Sequence, residues 1–128
     1  MIDKEKYTEG LHGEGVIRDY LKRNKIHFMQ ADLLFKHKGS WFSAEIKNQE
    51  RFEPPPFEGH GLPMWQVEAR LRLQNDTGIR AMFFVVEKPT DKVFWNYMDL
   101  LNKGEKIQTN GAKPRVIFPL SNFNTLNV

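Results

Sequence analysis

Apolar and polar residues change rhythm several times along the chain, and each rhythm predicts an element. From about Thr8 to Asn24, Ile17, Tyr20 and Leu21 form one apolar stripe at helical spacing, which predicts a first helix. Gly10, Gly13 and Gly15 weaken its first turns. Three β-like segments follow, at Ile26–Gln30, Asp32–Lys38 and Trp41–Asn48, with Lys38-Gly39-Ser40 as the turn between the last two. In the third, apolar Phe42, Ala44 and Ile46 alternate with polar Ser43, Glu45 and Lys47, the period of a half-buried strand. Gln49 to Pro63 reads as a loop, because Pro54-Pro55-Pro56 and Gly59-His60-Gly61 preclude regular structure. Pro63 suits the first turn of a second helix that carries Met64, Val67 and Leu71 on one side and Trp65, Ala69 and Leu73 on another. Gly78 ends that helix. Ile79–Val86 and Val93–Tyr97 read as strands, Met98–Asn102 as a short helix, and Arg115–Phe118 as an added edge strand. Helices outside a run of strands predict an α+β or mixed α/β sandwich.

Composition narrows the possibilities. With 128 residues the chain suits one domain with one core. It has no cysteine, which excludes disulfides and thiolate metal sites. Its histidines, His12, His27, His37 and His60, lack zinc-ligand spacing, and His60 is expected to sit in a flexible loop. The charged start is unlike a signal peptide, and no apolar run reaches membrane-spanning length, so an intracellular, cytoplasmic protein is expected. The net charge of +3 leans towards an acidic partner such as nucleic acid.

Glu45-Ile46-Lys47 is where the chemistry concentrates. Side chains two apart on a strand share a face, so Glu45 and Lys47 stand about 6–7 Å from each other. A second carboxylate, Asp32, lies across the hairpin. Two carboxylates and a lysine at one sheet edge can hold Mg²⁺, a hard cation that takes a few carboxylates and keeps several waters. Asp32 and Glu45 are the expected ligands, with the carbonyl of Ile46 as a third. Lys47 is expected to orient or help deprotonate a water and to stabilise developing negative charge, which is the chemistry of phosphodiester hydrolysis. Glu14 falls on or beside the apolar stripe of the first helix, where a solvated glutamate is out of place. Arg70, Arg72, Lys36 and Lys38 are candidates for a phosphate-contacting surface, and Trp65 and Trp95 for the core.

This pattern resembles the PD-(D/E)XK nuclease superfamily. Ala31-Asp32 stands where that family has Pro-Asp, and Glu45-Ile46-Lys47 supplies its acidic-x-Lys. Within the superfamily it is most similar to RecU-type Holliday junction resolvases. The resemblance spans about Gly13 to Tyr97 and includes the run from Phe57 to Gln66 before the second helix. It implies a restriction-endonuclease-like αβββαβ core: a central mixed sheet flanked by helices. It also implies a Mg²⁺-dependent endonuclease, with Mn²⁺ substituting, that acts as a homodimer on branched DNA such as four-way junctions. By the same resemblance Glu14 supports a metal or its waters, Gln66 reaches the site from the second helix, and Gln49 is a further candidate contact. Cleavage of flaps, ends or specific sequences stays open, as does a non-catalytic nucleic-acid-binding module on the same fold.

Overall fold

The computed structural model describes residues 4–26 and 32–127, with side chains from residue 12 onward except that of Glu14. The chain divides into two compact units, residues 1–30 and 31–128. The first holds α1 (Lys4–Arg23), which begins four residues before the expected boundary at Thr8. Lys22 and Arg23 in the last turn complement the negative end of the helix dipole. The helix closes on a left-handed Lys25 (φ 55°), with the Ile26 N–H bonded to the Leu21 carbonyl. Ile17 and Tyr20, expected to be buried, are 59% and 52% exposed. The described part of this unit has no second layer to cover them. The strand expected at Ile26–Gln30 lies, beyond Ile26, outside the described residues.

The second unit runs β1 (Leu33–His37), β2 (Ser40–Gln49), β3 (Gly59–Pro63), α2 (Met64–Thr77), β4 (Arg80–Glu87) and β5 (Lys92–Tyr97). It continues through α3 (Met98–Lys103), β6 (Ile107–Gln108), β7 (Arg115–Pro119), a 3-10 turn and β8 (Asn124–Leu126). Among the described residues, one sheet has the order β1-β2-β4-β5-β8 and a second has the order β3-β7-β6. β1 and β2 form a hairpin closed by Lys38 and Gly39, both at positive φ (50° and 83°), as a two-residue loop between twisted strands requires. β2 and β4 are parallel, so the chain must cross over between them, and α2 lies in that crossover. β4 and β5 pair antiparallel, which makes the sheet mixed. The architecture is mixed α/β, one of the two classes that the element order leaves open and the one that the family resemblance implies.

The core lies on one face of the larger sheet. Ala81, Phe83, Val85 and Phe94 pack there against Leu62 of β3, Val67 of α2, Met98 and Leu101 of α3, and Val116 and Phe118 of β7. β2 carries Ser43 and Glu45 on this same face, in register with Ala81 and Phe83. The polar side of β2 is therefore buried at its centre, with Ser43 at 0% and Glu45 at 3% exposure, as is Ala44 on the opposite face at 1%. Phe42 and Ile46, on the opposite face, are only half-buried.

Two expectations need correction. Gly59-His60-Gly61 is a buried strand rather than a loop. A Cβ on Gly61 would stand 2.0 Å from the Val116 carbonyl oxygen, and one on Gly59 would stand 1.8 Å from that of Phe118. These glycines let two backbones approach, which a turn-based reading of glycine misses. Arg115–Phe118 is also no edge strand: β7 is the middle strand of its sheet. Gly61→Ala is expected to cost on the order of 1–3 kcal/mol or more, through forced backbone displacement. Urea unfolding reads this directly, and a parental midpoint would contradict the close approach.

Candidate active site

The ladder between β1 and β2 ends at Leu33↔Ala44. One step further, the register brings Asp32 across from Glu45. Asp32 Oδ2 accepts the Ile46 backbone N–H at 2.8 Å, which ties the upstream carboxylate to the triplet. Glu45 Oε1 lies 3.8 Å from Lys47 Nζ, and the Lys47 side chain keeps 26% of its surface. Asp32 is exposed while Glu45 is buried, so the group faces solvent at one end and the core at the other.

Glu45 has a partner that the sequence reading placed elsewhere. Arg70, expected on a phosphate-contacting surface, is buried, and its Nε–H donates to Glu45 Oε2 at 2.8 Å. One turn later on α2, Gln74 Oε1 accepts the Ala81 N–H at 3.0 Å. Ala81 is level with Ser43. Gln66 lies one turn before Arg70 on α2. Gln66 Oε1 is buried without a hydrogen-bond partner among the described residues, as is Ser43 Oγ. An unsatisfied buried amide oxygen is costly unless a water or ligand completes it.

The donors are all oxygen, which suits hard divalent cations. Among the described residues no three His, Cys, Asp or Glu side chains gather as a metal site. Asp32 and Glu45 each give one oxygen to an N–H donor, and the other oxygen of Glu45 faces the Lys47 ammonium at 3.8 Å. Two carboxylate oxygens and the Ile46 carbonyl fit Mg²⁺, which takes its remaining ligands from water and phosphate. They do not fit a closed zinc site. Glu14 lies on α1, and its side chain is outside the described residues. Lys36 pairs across the hairpin with Trp41, four residues and about 13 Å of strand from Glu45. Lys36 and Lys38 are exposed and stand away from the triplet.

A second polar cluster borders the first at the far end of β2, and it corrects the expectation for His60. That ring is fully buried, held by Gln49 Oε1 at Nδ1 (3.1 Å) and by the Glu87 carboxylate at Nε2. Gln49 also exchanges bonds with Gly61, donating to its carbonyl at 3.1 Å and accepting its N–H at 3.2 Å. Its amide therefore clamps β3 rather than standing free for a phosphate. Arg51 forks onto both oxygens of Glu87 at 3.1 and 3.0 Å and reaches Glu58 at 3.0 Å. Arg51, Glu58 and Glu87 carried no sequence signal, since the pairs join residues from different elements.

Burial pushes the His60 pKa below its ordinary 6.5, against the pull of Glu87. Burial alone would raise Glu87, but the bonds from Arg51 and His60 outweigh it and hold the carboxyl below its ordinary 4.5. Both shifts mean that the unfolded chain takes up protons before the folded chain does. Stability is thus complete above about 6.5, declines as pH falls below that value, and declines again below 4.5 as Glu87 protonates. Glu87→Gln should remove the lower step. A urea midpoint constant from neutral pH to below 4.5 would contradict both shifts.

No protein-family model matches the chain, and no curated protein matches it. Among solved structures it is similar to Archaeoglobus fulgidus Hjc, a Holliday junction resolvase from an archaeal hyperthermophile, with 14% identity, a TM-score of 0.47 and 84% of each chain covered. At that identity and overlap, the chemistry of the site has to be read from this chain's own side chains. Among the described residues no helix is long and apolar enough to cross a membrane.

Proposed function

We propose that this chain is a Mg²⁺-dependent endodeoxyribonuclease of the PD-(D/E)XK type, acting as a homodimer on branched DNA such as Holliday junctions, with Mn²⁺ able to substitute. One observation carries the proposal. Asp32 is tied to the Ile46 N–H at 2.8 Å, while Glu45 and Lys47 stand 3.8 Å apart on the adjoining strand. Two anions and an ammonium thus meet where the β1 ladder ends.

The remaining oxygens of Asp32 and Glu45, with the Ile46 carbonyl, would hold the ion. A bound divalent ion lowers the pKa of water and offsets negative charge at phosphorus. Lys47 would hydrogen-bond the attacking water and meet the charge that develops as it adds. Gln66, one turn before Arg70 on α2, has a buried carbonyl oxygen without a partner and would offer it to the same water. Arg70 holds Glu45 in one rotamer through its Nε–H bond. Asp32, Glu45, Lys47 and Arg70 sum to zero charge, so a divalent ion here gains from the anionic phosphate that arrives with the substrate.

The buried Arg70–Glu45 pair favours one rival: a non-catalytic nucleic-acid-binding module in which Glu45 is structural. Incubating the protein with four-way junctions, flaps, duplexes and single strands, with Mg²⁺ and with chelator, separates the two. The proposal expects metal-dependent product, greatest on the junction. Salt-sensitive binding that ignores Mg²⁺ and yields no product on any substrate would establish the rival.

A further inference from the structure

Trp65 was expected in the core, yet 65% of its surface is exposed. It is the second residue of α2, directly after Met64, whose N–H donates to the Pro114 carbonyl at 3.0 Å. That bond holds the segment before β7 against the start of α2, and the ladder pair Pro63↔Arg115 fixes the other side. Between them is a pocket of about 430 Å³ lined by Pro63, Trp65, Ala112, Lys113, Pro114 and Arg115. Its size lies within the range of small-ligand pockets, about 300–1,000 Å³.

The lining has a consistent chemistry. One large indole and two proline rings supply flat apolar surface. Lys113 and Arg115 supply positive charge, and among the described residues no carboxylate lines the pocket. The Arg115 guanidinium rests 5.3 Å from the centroid of Phe52, so its position is supported. An exposed indole beside two cations matches a ligand that is planar at one end and anionic at the other. A polypeptide segment offers the flat surface without a fixed negative charge. A nucleotide offers both: every base has a face that stacks, and every phosphate is an anion.

We infer that the Trp65 pocket binds one unpaired nucleotide of a DNA strand, the base stacking on Trp65 and its phosphate meeting Lys113 and Arg115. It rests on the nucleic-acid part of the proposed function and adds to it a preference for DNA with unpaired bases. Gln66, next to Trp65 in sequence, has its carbonyl oxygen buried, and Arg70 on the same helix bonds Glu45. A strand anchored here would therefore begin its path beside the helix that faces Glu45.

Fluorescence anisotropy of a labelled short oligothymidylate and of a duplex of matched length, titrated with the whole chain in chelator, tests this without any cleavage. Trp65→Ala is expected to weaken oligothymidylate binding about tenfold, within the roughly 5- to 150-fold range of one lost base stack, and to leave duplex binding nearly unchanged. Trp65→Phe should restore most of the affinity. Lys113→Ala should flatten the salt dependence by about 0.7 in log–log slope, the value of one phosphate contact on a single strand. Circular dichroism checks that each variant is folded. Parental affinity of Trp65→Ala for the oligothymidylate, or no binding by the parent protein, would overturn the inference. Loss of cleavage on every substrate with the stack intact would instead sink the nuclease reading and leave the pocket standing.

Discussion

Lys47→Ala is expected to lower Mg²⁺-dependent cleavage by about 10²–10⁴-fold, the range for losing one group that handles the proton or the developing charge. Its fold should survive, because the Lys47 side chain is 26% exposed and its ion pair with Glu45 is long, at 3.8 Å. Pairs that reach solvent contribute little to stability. Asp32→Asn should do equal damage for a different reason. Its Oδ2 is engaged by the Ile46 N–H, so the oxygen lost as an anion is the one left for a cation. The amide keeps an acceptor for Ile46, so thermal midpoints should change little. Parental cleavage by both variants, with parental midpoints, would end the catalytic assignment.

The second large effect concerns stability. Arg70→Met is expected to cost about 3–5 kcal/mol, the usual penalty for removing one partner of a buried ion pair. Glu45 is 3% exposed and would be left with only the distant ammonium of Lys47. A domain of this size has about 5–15 kcal/mol of stability in all, so the loss is a large fraction of it. The remedy is equally specific: Arg70→Met combined with Glu45→Met should recover most of the loss, since an apolar pair of similar volume carries no desolvation penalty. Urea unfolding of the single and double variants measures both. A single variant within 1 kcal/mol of the parent, about the worth of a solvated pair, would mean that Glu45 is not buried as described.

Much of the fold can be read from periodicity, because the hairpin, the parallel strand and α2 each carry a local signal. The alternation around Glu45 places it on one face with Lys47, and the short turn at Lys38-Gly39 brings Asp32 to the adjoining strand. The alternation also misleads, because the polar face of β2 is buried at its centre. Ser43 and Glu45 point inward since their neighbours on β4, Ala81 and Phe83, do. No local pattern in β2 contains that information. Gly59 and Gly61 fail for the same reason: their meaning depends on the carbonyls of Phe118 and Val116, more than fifty residues away. The Arg70–Glu45 bond spans 25 residues, and the Arg51–Glu87 fork spans 36. Long-range polar partners of this kind leave no trace in spacing. Trp65 reads as core because a helix with apolar residues on two sides does not say which side is covered.

Diffraction from crystals grown with Mn²⁺, recorded at the manganese edge, would locate any bound ion by its anomalous signal. A peak shared by Asp32 and Glu45, with the Ile46 carbonyl and waters completing its shell, is the expected outcome. Its disappearance in Asp32→Asn crystals would bind the ion to that carboxylate. A clean map at this edge of the sheet at saturating Mn²⁺, or a peak only at some other carboxylate, would leave the triplet as a buried salt bridge and nothing more.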